Sequence, residues 1–242
     1  MNCKTKIITV NKNKLKYQIC GRGQPLLLLH GFGVSPLICR PAINELAKDY
    51  LTIVPHLSEL PSFSNLAILL SRLFDELKIK EKIVIVGHSM GAMLATEFVI
   101  KYPERVRKLI ISDGLIFPLK KNFFRTASDI ICDTLYNFFN PNDWKNLFLS
   151  FYEVGRFYLR NPSIFKCQSD YVMKSSVENK LKNIKIDTLI LWGKSDKVIP
   201  VKNARKIKEK IPAAKLIIFP GNHIWLLQKP RLFKSAIDDS LK

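Results

Sequence analysis

Lys82-Ile83-Val84-Ile85-Val86-Gly87-His88-Ser89-Met90-Gly91 decides how the rest of this chain is read. The β-branched run Lys82–Val86 predicts a buried strand, and the spacing from Met90 to Lys101 predicts a helix. Between them stands G-x-S-x-G, a sharp turn with Ser89 at its apex. Such a turn lifts the serine hydroxyl above the ends of the strands. Gly87 and Gly91 suit it physically, because a side chain at either place would strike the neighbouring strand or helix.

Outward from that turn, strands and helices alternate. Lys6–Val10 and Lys14–Cys20 read as two strands around the turn Asn11-Lys12-Asn13. Pro25–Leu29 is an apolar run of the kind buried on both faces of a parallel sheet. A helix is expected over Pro41–Lys48, a strand over Leu51–Pro55 and an amphipathic helix over Leu66–Leu77. Beyond the turn come a strand Val106–Ile111, a strand Thr188–Trp192, a helix Val201–Lys210, a strand Lys215–Phe219 and a last helix Pro230–Leu241. The alternation predicts an α/β fold with a mainly parallel sheet covered on both faces. Residues 115–180 break the pattern. They hold 14 of the 25 aromatic residues, at helical spacing, and read as a helical insertion. The expected organisation is therefore a core, residues 1–114 and 181–242, with a cap at 115–180.

In a parallel sheet, ligands bind at the carboxyl ends of the strands. His30, Ser89, Asp113, Asp196 and His223 each follow a predicted strand and are expected on one rim. A serine hydroxyl needs a base within hydrogen-bond reach. His223, in the loop after the last predicted strand, fits that role and follows the nucleophile in chain order. The base needs a carboxylate to hold its tautomer. Asp196 lies between serine and histidine in the chain and is preferred; Asp113, after the strand beside that of Ser89, is the competitor. A developing oxyanion needs backbone donors, and the N–H groups of Met90 and Phe32 are the candidates. His30, His88, His56 and Trp225 are possible pocket residues.

These features together resemble the α/β-hydrolase fold superfamily, in its group of small esterases, lysophospholipase-like enzymes and carrier-ester hydrolases. The resemblance rests on His30-Gly31-Phe32-Gly33, Gly87–Gly91, Tyr102-Pro103-Glu104-Arg105-Val106, Trp192-Gly193-Lys194-Ser195-Asp196 and Gly221-Asn222-His223. It implies an eight-stranded sheet with an antiparallel second strand and a helical cap over the site. It also implies that G-x-S-x-G is a nucleophile elbow, with an activity needing neither metal nor organic cofactor. The expected reaction is hydrolysis of a carboxylic ester of a hydrophobic acyl group. Alternatives are a thioesterase or methyl-esterase on acyl-carrier or coenzyme A conjugates, a carbon–carbon bond hydrolase, and a ligand-binding protein that has lost catalysis. Haloalkane or epoxide hydrolysis is disfavoured, since that resemblance requires aspartate at position 89. One stretch departs from the family pattern: where an Asp and a Pro-Gly-x-Gly turn usually follow the strand, this chain has His56-Leu57-Ser58-Glu59-Leu60-Pro61.

Composition bounds the rest. Over 242 residues, 47% hydrophobic and 24% charged, the chain is ordinary for a globular domain. No apolar run spans a bilayer and the N-terminus has no signal-peptide pattern, so a cytoplasmic protein is expected. The net charge of +19 is spread along the chain. It is either a lysine bias or an attraction to an acidic carrier protein, a coenzyme A ester or an anionic lipid surface. No nucleic-acid-binding motif is present. The five cysteines are irregularly spaced and read as buried free thiols.

Overall fold

The run Gln24–Leu29 forms strand β3, and its residues divide between two cores. Leu27 and Leu29 join one apolar cluster, Leu26 and Leu28 the other. Strand β5 (Ile83–His88) divides the same way, Ile83 and Ile85 to one side, Val84 and Val86 to the other. Successive side chains point to opposite faces, so a strand covered on both sides must be apolar throughout. A computed structural model describes residues 3–10, 13–118, 128–129 and 141–242, with the backbone alone for 141–147.

The other strands are β1 (Lys4–Val10), β2 (Asn13–Cys20), β4 (Tyr50–Pro55), β6 (Val106–Ser112), β7 (Asp187–Gly193) and β8 (Lys215–Phe219). The eight strands form one sheet in the order β1-β2-β4-β3-β5-β6-β7-β8. Strand β2 is antiparallel to both neighbours, and β4 through β8 are parallel. Helices α1 (Arg40–Leu46), α7 (Trp225–Gln228) and α8 (Pro230–Leu241) cover one face. Helices α2 (Leu66–Glu76), α3 (Met90–Lys101) and α6 (Lys202–Lys210) cover the other. This is the α/β-hydrolase fold, with the eight strands and the antiparallel second strand that the resemblance implied.

Helix α3 packs directly behind the Ser89 turn, with its first residues against β3. Gly91 makes this possible: a Cβ there would stand 2.0 Å from the carbonyl oxygen of Leu29. Of the expected insertion, residues 119–127 and 130–140 lie outside the described residues, as does Cys132. The described part holds helices α4 (Pro141–Arg160) and α5 (Pro162–Lys174), joined to β7 by a 3-10 segment, Glu178–Asn183. Polar contacts between α4, α5 and the core run through buried groups. Ser35 N donates to Ser150 Oγ at 3.0 Å. Gln168 Nε2 reaches the carbonyls of Leu57, Ser58 and Leu60 at 3.2, 3.3 and 2.5 Å, and its Oε1 accepts from Tyr158 at 2.7 Å.

The cysteine expectation needs correction. Cys3 and Cys20 form a disulfide, with Cα atoms 4.4 Å apart. The antiparallel register that pairs Lys4 with Ile19 sets them opposite each other. Cys39 is a buried free thiol and Cys167 an exposed one.

Candidate active site

Because β3, β5, β6, β7 and β8 run parallel, the residues following them share one end of the sheet. Ser89 has φ 53° and ψ −122°, a backbone region that non-glycine residues rarely adopt. Neighbouring backbone holds it there. Its N–H donates to Ser112 O at 3.1 Å, and its carbonyl accepts from Ala92 N at 3.0 Å and Leu115 N at 2.9 Å. The next N–H, that of Met90, lies in the first turn of α3, where helical donors have no partner within the helix. On the other side of Ser89 is the loop after β3. A Cβ on Gly31 would fall 3.3 Å from Ser89 Cβ and 3.6 Å from its Oγ, so this loop runs close beside the serine. Phe32 comes next, with its ring 6.1 Å from those of Tyr158 and Phe165 on α4 and α5.

Asp196 and His223 meet at this end. His223 Nδ1 lies 2.9 Å from Asp196 Oδ2, both residues being about 95% buried. Asp196 Oδ1 accepts from Val198 N and Ile199 N at 2.8 Å each, which fixes the carboxyl plane. A proton on Nδ1, bonded to the carboxylate, leaves Nε2 as the basic nitrogen. His88, the residue before Ser89, packs its ring 4.9 Å from that of His223. Burial first, then the neighbouring His223, hold the His88 imidazole well below its ordinary pKa, so it stays neutral beside His223.

Asp113 is also drawn in. One ligand atom each from Asp113, Asp196 and His223 lies within 4.8 Å of the others. The Asp113 carboxyl already faces donors: Gly193 N at 2.8 Å on Oδ1, and Trp225 Nε1 at 2.7 Å and Ser112 Oγ at 3.0 Å on Oδ2. Those N–H groups oppose a cation at the Asp113 oxygens.

Two expected pocket residues, Trp225 and His30, are buried in the fold, and a third, His56, lines a groove. Trp225 is fully buried, stacked 4.5 Å from Phe219, and belongs to the core. The short helix α7 turns its ring inward, and its Nε1 reaches the site through Asp113. His30 is fully buried as well. Its Nδ1–H donates to Gly31 O at 2.9 Å and its Nε2 accepts from Leu57 N at 3.2 Å, tying the loop after β3 to the segment after β4. His56 pairs its Nδ1 with Glu59 at 3.2 Å, and Glu59 pairs with Lys16 at 2.8 Å. His56, Glu59 and Lys16 line one side of a groove of about 550 Å³, and Tyr152, Arg156 and Arg160 of α4 line the other. Gln168 was not singled out by its sequence. The available signal was its place three residues after Phe165 and four before Val172, on one helical face.

His30 supplies a test of this arrangement. Burial is the main cause that takes its pKa from 6.5 down to about 4. Between those values the unfolded chain binds a proton that the folded chain refuses. Its contribution to stability is therefore intact above about pH 6.5 and is lost as pH falls toward 4. In urea melts, the stability advantage of wild type over His30→Gln should shrink by about 2 kcal/mol between pH 7.5 and pH 5. A gap independent of pH contradicts the buried neutral imidazole.

Sheet order, elbow and rim define an α/β hydrolase, and the chain belongs to that superfamily. The family model described as "alpha/beta hydrolase fold" matches residues 24–143. Over 240 residues the chain is 29% identical to the pimeloyl-[acyl-carrier protein] methyl ester esterase of Legionella pneumophila (strain Lens), covering 92% of this chain and 97% of that protein. It is 28% identical to a 2-hydroxy-6-oxononadienedioate/2-hydroxy-6-oxononatrienedioate hydrolase of Comamonas testosteroni, covering 91% and 90%. Among solved structures, the serine hydrolase CarC of carbazole degradation superposes with a TM-score of 0.81 at 20% identity, covering 99% of each chain. The esterase EaEST of Exiguobacterium antarcticum gives 0.74 at 20% identity, covering 99% of this chain and 100% of that one.

Proposed function

We propose that this hydrolase is a serine esterase that removes a small alcohol from an acyl chain carried by an acyl carrier protein. The observation that carries this reading is the Asp196–His223 pair at 2.9 Å, on the rim where the strained Ser89 stands. Ser89 Oγ attacks the ester carbon while His223 Nε2 takes its proton. The N–H groups of Met90 and Phe32 hold the oxyanion. The tetrahedral intermediate collapses, and His223 returns the proton to the departing alcohol. A water, deprotonated by His223, then attacks the acyl-enzyme and releases the acid and Ser89. Asp196 keeps the imidazole in the right tautomer and stabilises its charged form.

Substrate choice belongs to the cap, which we take as residues 115–180. The ring cluster of Phe32, Tyr158 and Phe165 favours an apolar acyl chain. Two features support a carrier-borne substrate: relatives that act on pimeloyl-carrier methyl esters, and the net charge of +19. Arg156 and Arg160 stand one helical turn apart in the groove beside the cap, where an anionic partner gains most from the charge. A carrier-linked substrate puts the reaction in the cytoplasm. Carbon–carbon bond cleavage is the second reading, favoured by the Comamonas relative.

The test is a substrate panel run with a fluorophosphonate probe. Methyl esters on an acidic carrier should be cleaved faster than the free esters, and the advantage should shrink as salt rises. The probe should label the peptide containing Ser89 and abolish turnover. Turnover of a labile diketone without ester turnover moves the chain to the second reading. Label on another residue, with activity unaffected, overturns the mechanism.

A further inference from the structure

The Asp113 carboxyl takes no part in the proposed steps, yet it occupies the centre of the site. It is fully buried at the end of β6, with φ 47°. A non-glycine residue keeps such a backbone only where its surroundings hold it. Here the holding is done by the two loops that bear the acid and the base. Gly193, which accepts Asp196 N–H at 3.2 Å in the turn after β7, donates its own N–H to Asp113 Oδ1. Trp225, two residues after His223, donates to Asp113 Oδ2. Asp113 N–H in turn donates to Leu191 O at 3.0 Å. One side chain therefore clasps both loops, and one of its oxygens lies within 4.8 Å of a ligand atom of Asp196 and of His223.

We propose that Asp113 is a positioning residue and a reserve acid: it locks the Asp196 and His223 loops together, and it accepts the hydrogen bond of His223 Nδ1–H when the Asp196 carboxylate is removed. The inference rests on the triad reading above. Two carboxyls so close do not readily ionise together. Burial first, then the Asp196 charge, push the Asp113 carboxyl well above the usual range. Neutralising Asp196 removes the second cause and leaves Asp113 as the only carboxylate near the base, among the described residues.

The test compares wild type, Asp113→Asn, Asp196→Asn and the double variant on an activated ester, with thermal melts to score folding. An acid–base pair that loses its only acid loses about 10⁴-fold in kcat. Here Asp196→Asn should lose about 10²-fold, and Asp113→Asn alone less than about 10-fold, with KM little changed. In the Asp196→Asn background, Asp113→Asn should cost a further factor of about 10²; such non-additivity marks groups that act together. The downfield proton resonance of His223 Nδ1 should persist in Asp196→Asn and vanish in the double variant. Equal factors for Asp113→Asn in both backgrounds, or loss of the resonance in Asp196→Asn alone, overturn the proposal. If Asp113→Asn does not fold, Asp196→Asn is compared with His223→Ala. Activity well above that of His223→Ala supports the reserve acid, and activity no higher overturns it. Turnover surviving in Ser89→Ala would instead bring down the triad reading, and this proposal with it.

Discussion

Ser89→Ala should lower kcat by about 10⁵-fold or more, with the fold intact. Every step of the proposed reaction passes through the Ser89 oxygen, and no neighbouring side chain replaces it. Backbone donors and substrate binding survive the change, so a small residual rate over water is expected. Stability should stay within about 1 kcal/mol of wild type. The turn is held by the bonds of Ser89 N–H to Ser112 and of Ala92 and Leu115 to the Ser89 carbonyl, none of which involves the hydroxyl. Alanine meets the same positive φ as serine, so the strain is unchanged. Steady-state kinetics with a matched thermal melt checks both halves. A variant within tenfold of wild type refutes nucleophilic catalysis by this serine.

Gly91→Ala should act on the fold itself. The new Cβ would stand 2.0 Å from the carbonyl oxygen of Leu29, 2.5 Å from its carbonyl carbon and 2.8 Å from the oxygen of His30. All three are backbone atoms in or beside a central strand, so no rotamer change relieves the contact. Overpacking a core with one methyl usually costs about 1–3 kcal/mol. Here helix α3 must move off β3, and about 4 kcal/mol or more is expected. The same displacement shifts the loop carrying Phe32 away from Ser89. Any Gly91→Ala protein that does fold should therefore show a large loss of kcat as well. Urea melts and kinetics measure the two effects, and a variant with native stability contradicts the close approach of α3 to β3.

The elements around this contact were legible from the residues. Lys82–Val86 and Pro25–Leu29 are short, largely apolar runs ended by glycine turns, as expected of strands buried on both sides. The rim positions followed from parallel strands, because each candidate came just after one. Other features were not legible for stated reasons. The four-residue helix α7 is too short to show a period, so no local pattern placed the Trp225 ring in the core. The burial of Gln168 depends on three carbonyls more than 100 residues away, which no local pattern reveals. The Cys3–Cys20 pair was within reach. In the hairpin that pairs Val10 with Asn13, positions 3 and 20 fall opposite each other, and the irregular spacing of the five cysteines concealed that.

The Gln168 side chain also decides how this protein can be rebuilt. Its amide satisfies carbonyls of Leu57, Ser58 and Leu60, within the stretch that departs from the usual family sequence. A cap transplanted from a relative would leave those acceptors without their donor. A transplanted 56–61 loop would strand the amide in turn. Chimeras should therefore exchange the two segments together, as one inheritable module, even though about a hundred residues of chain separate them.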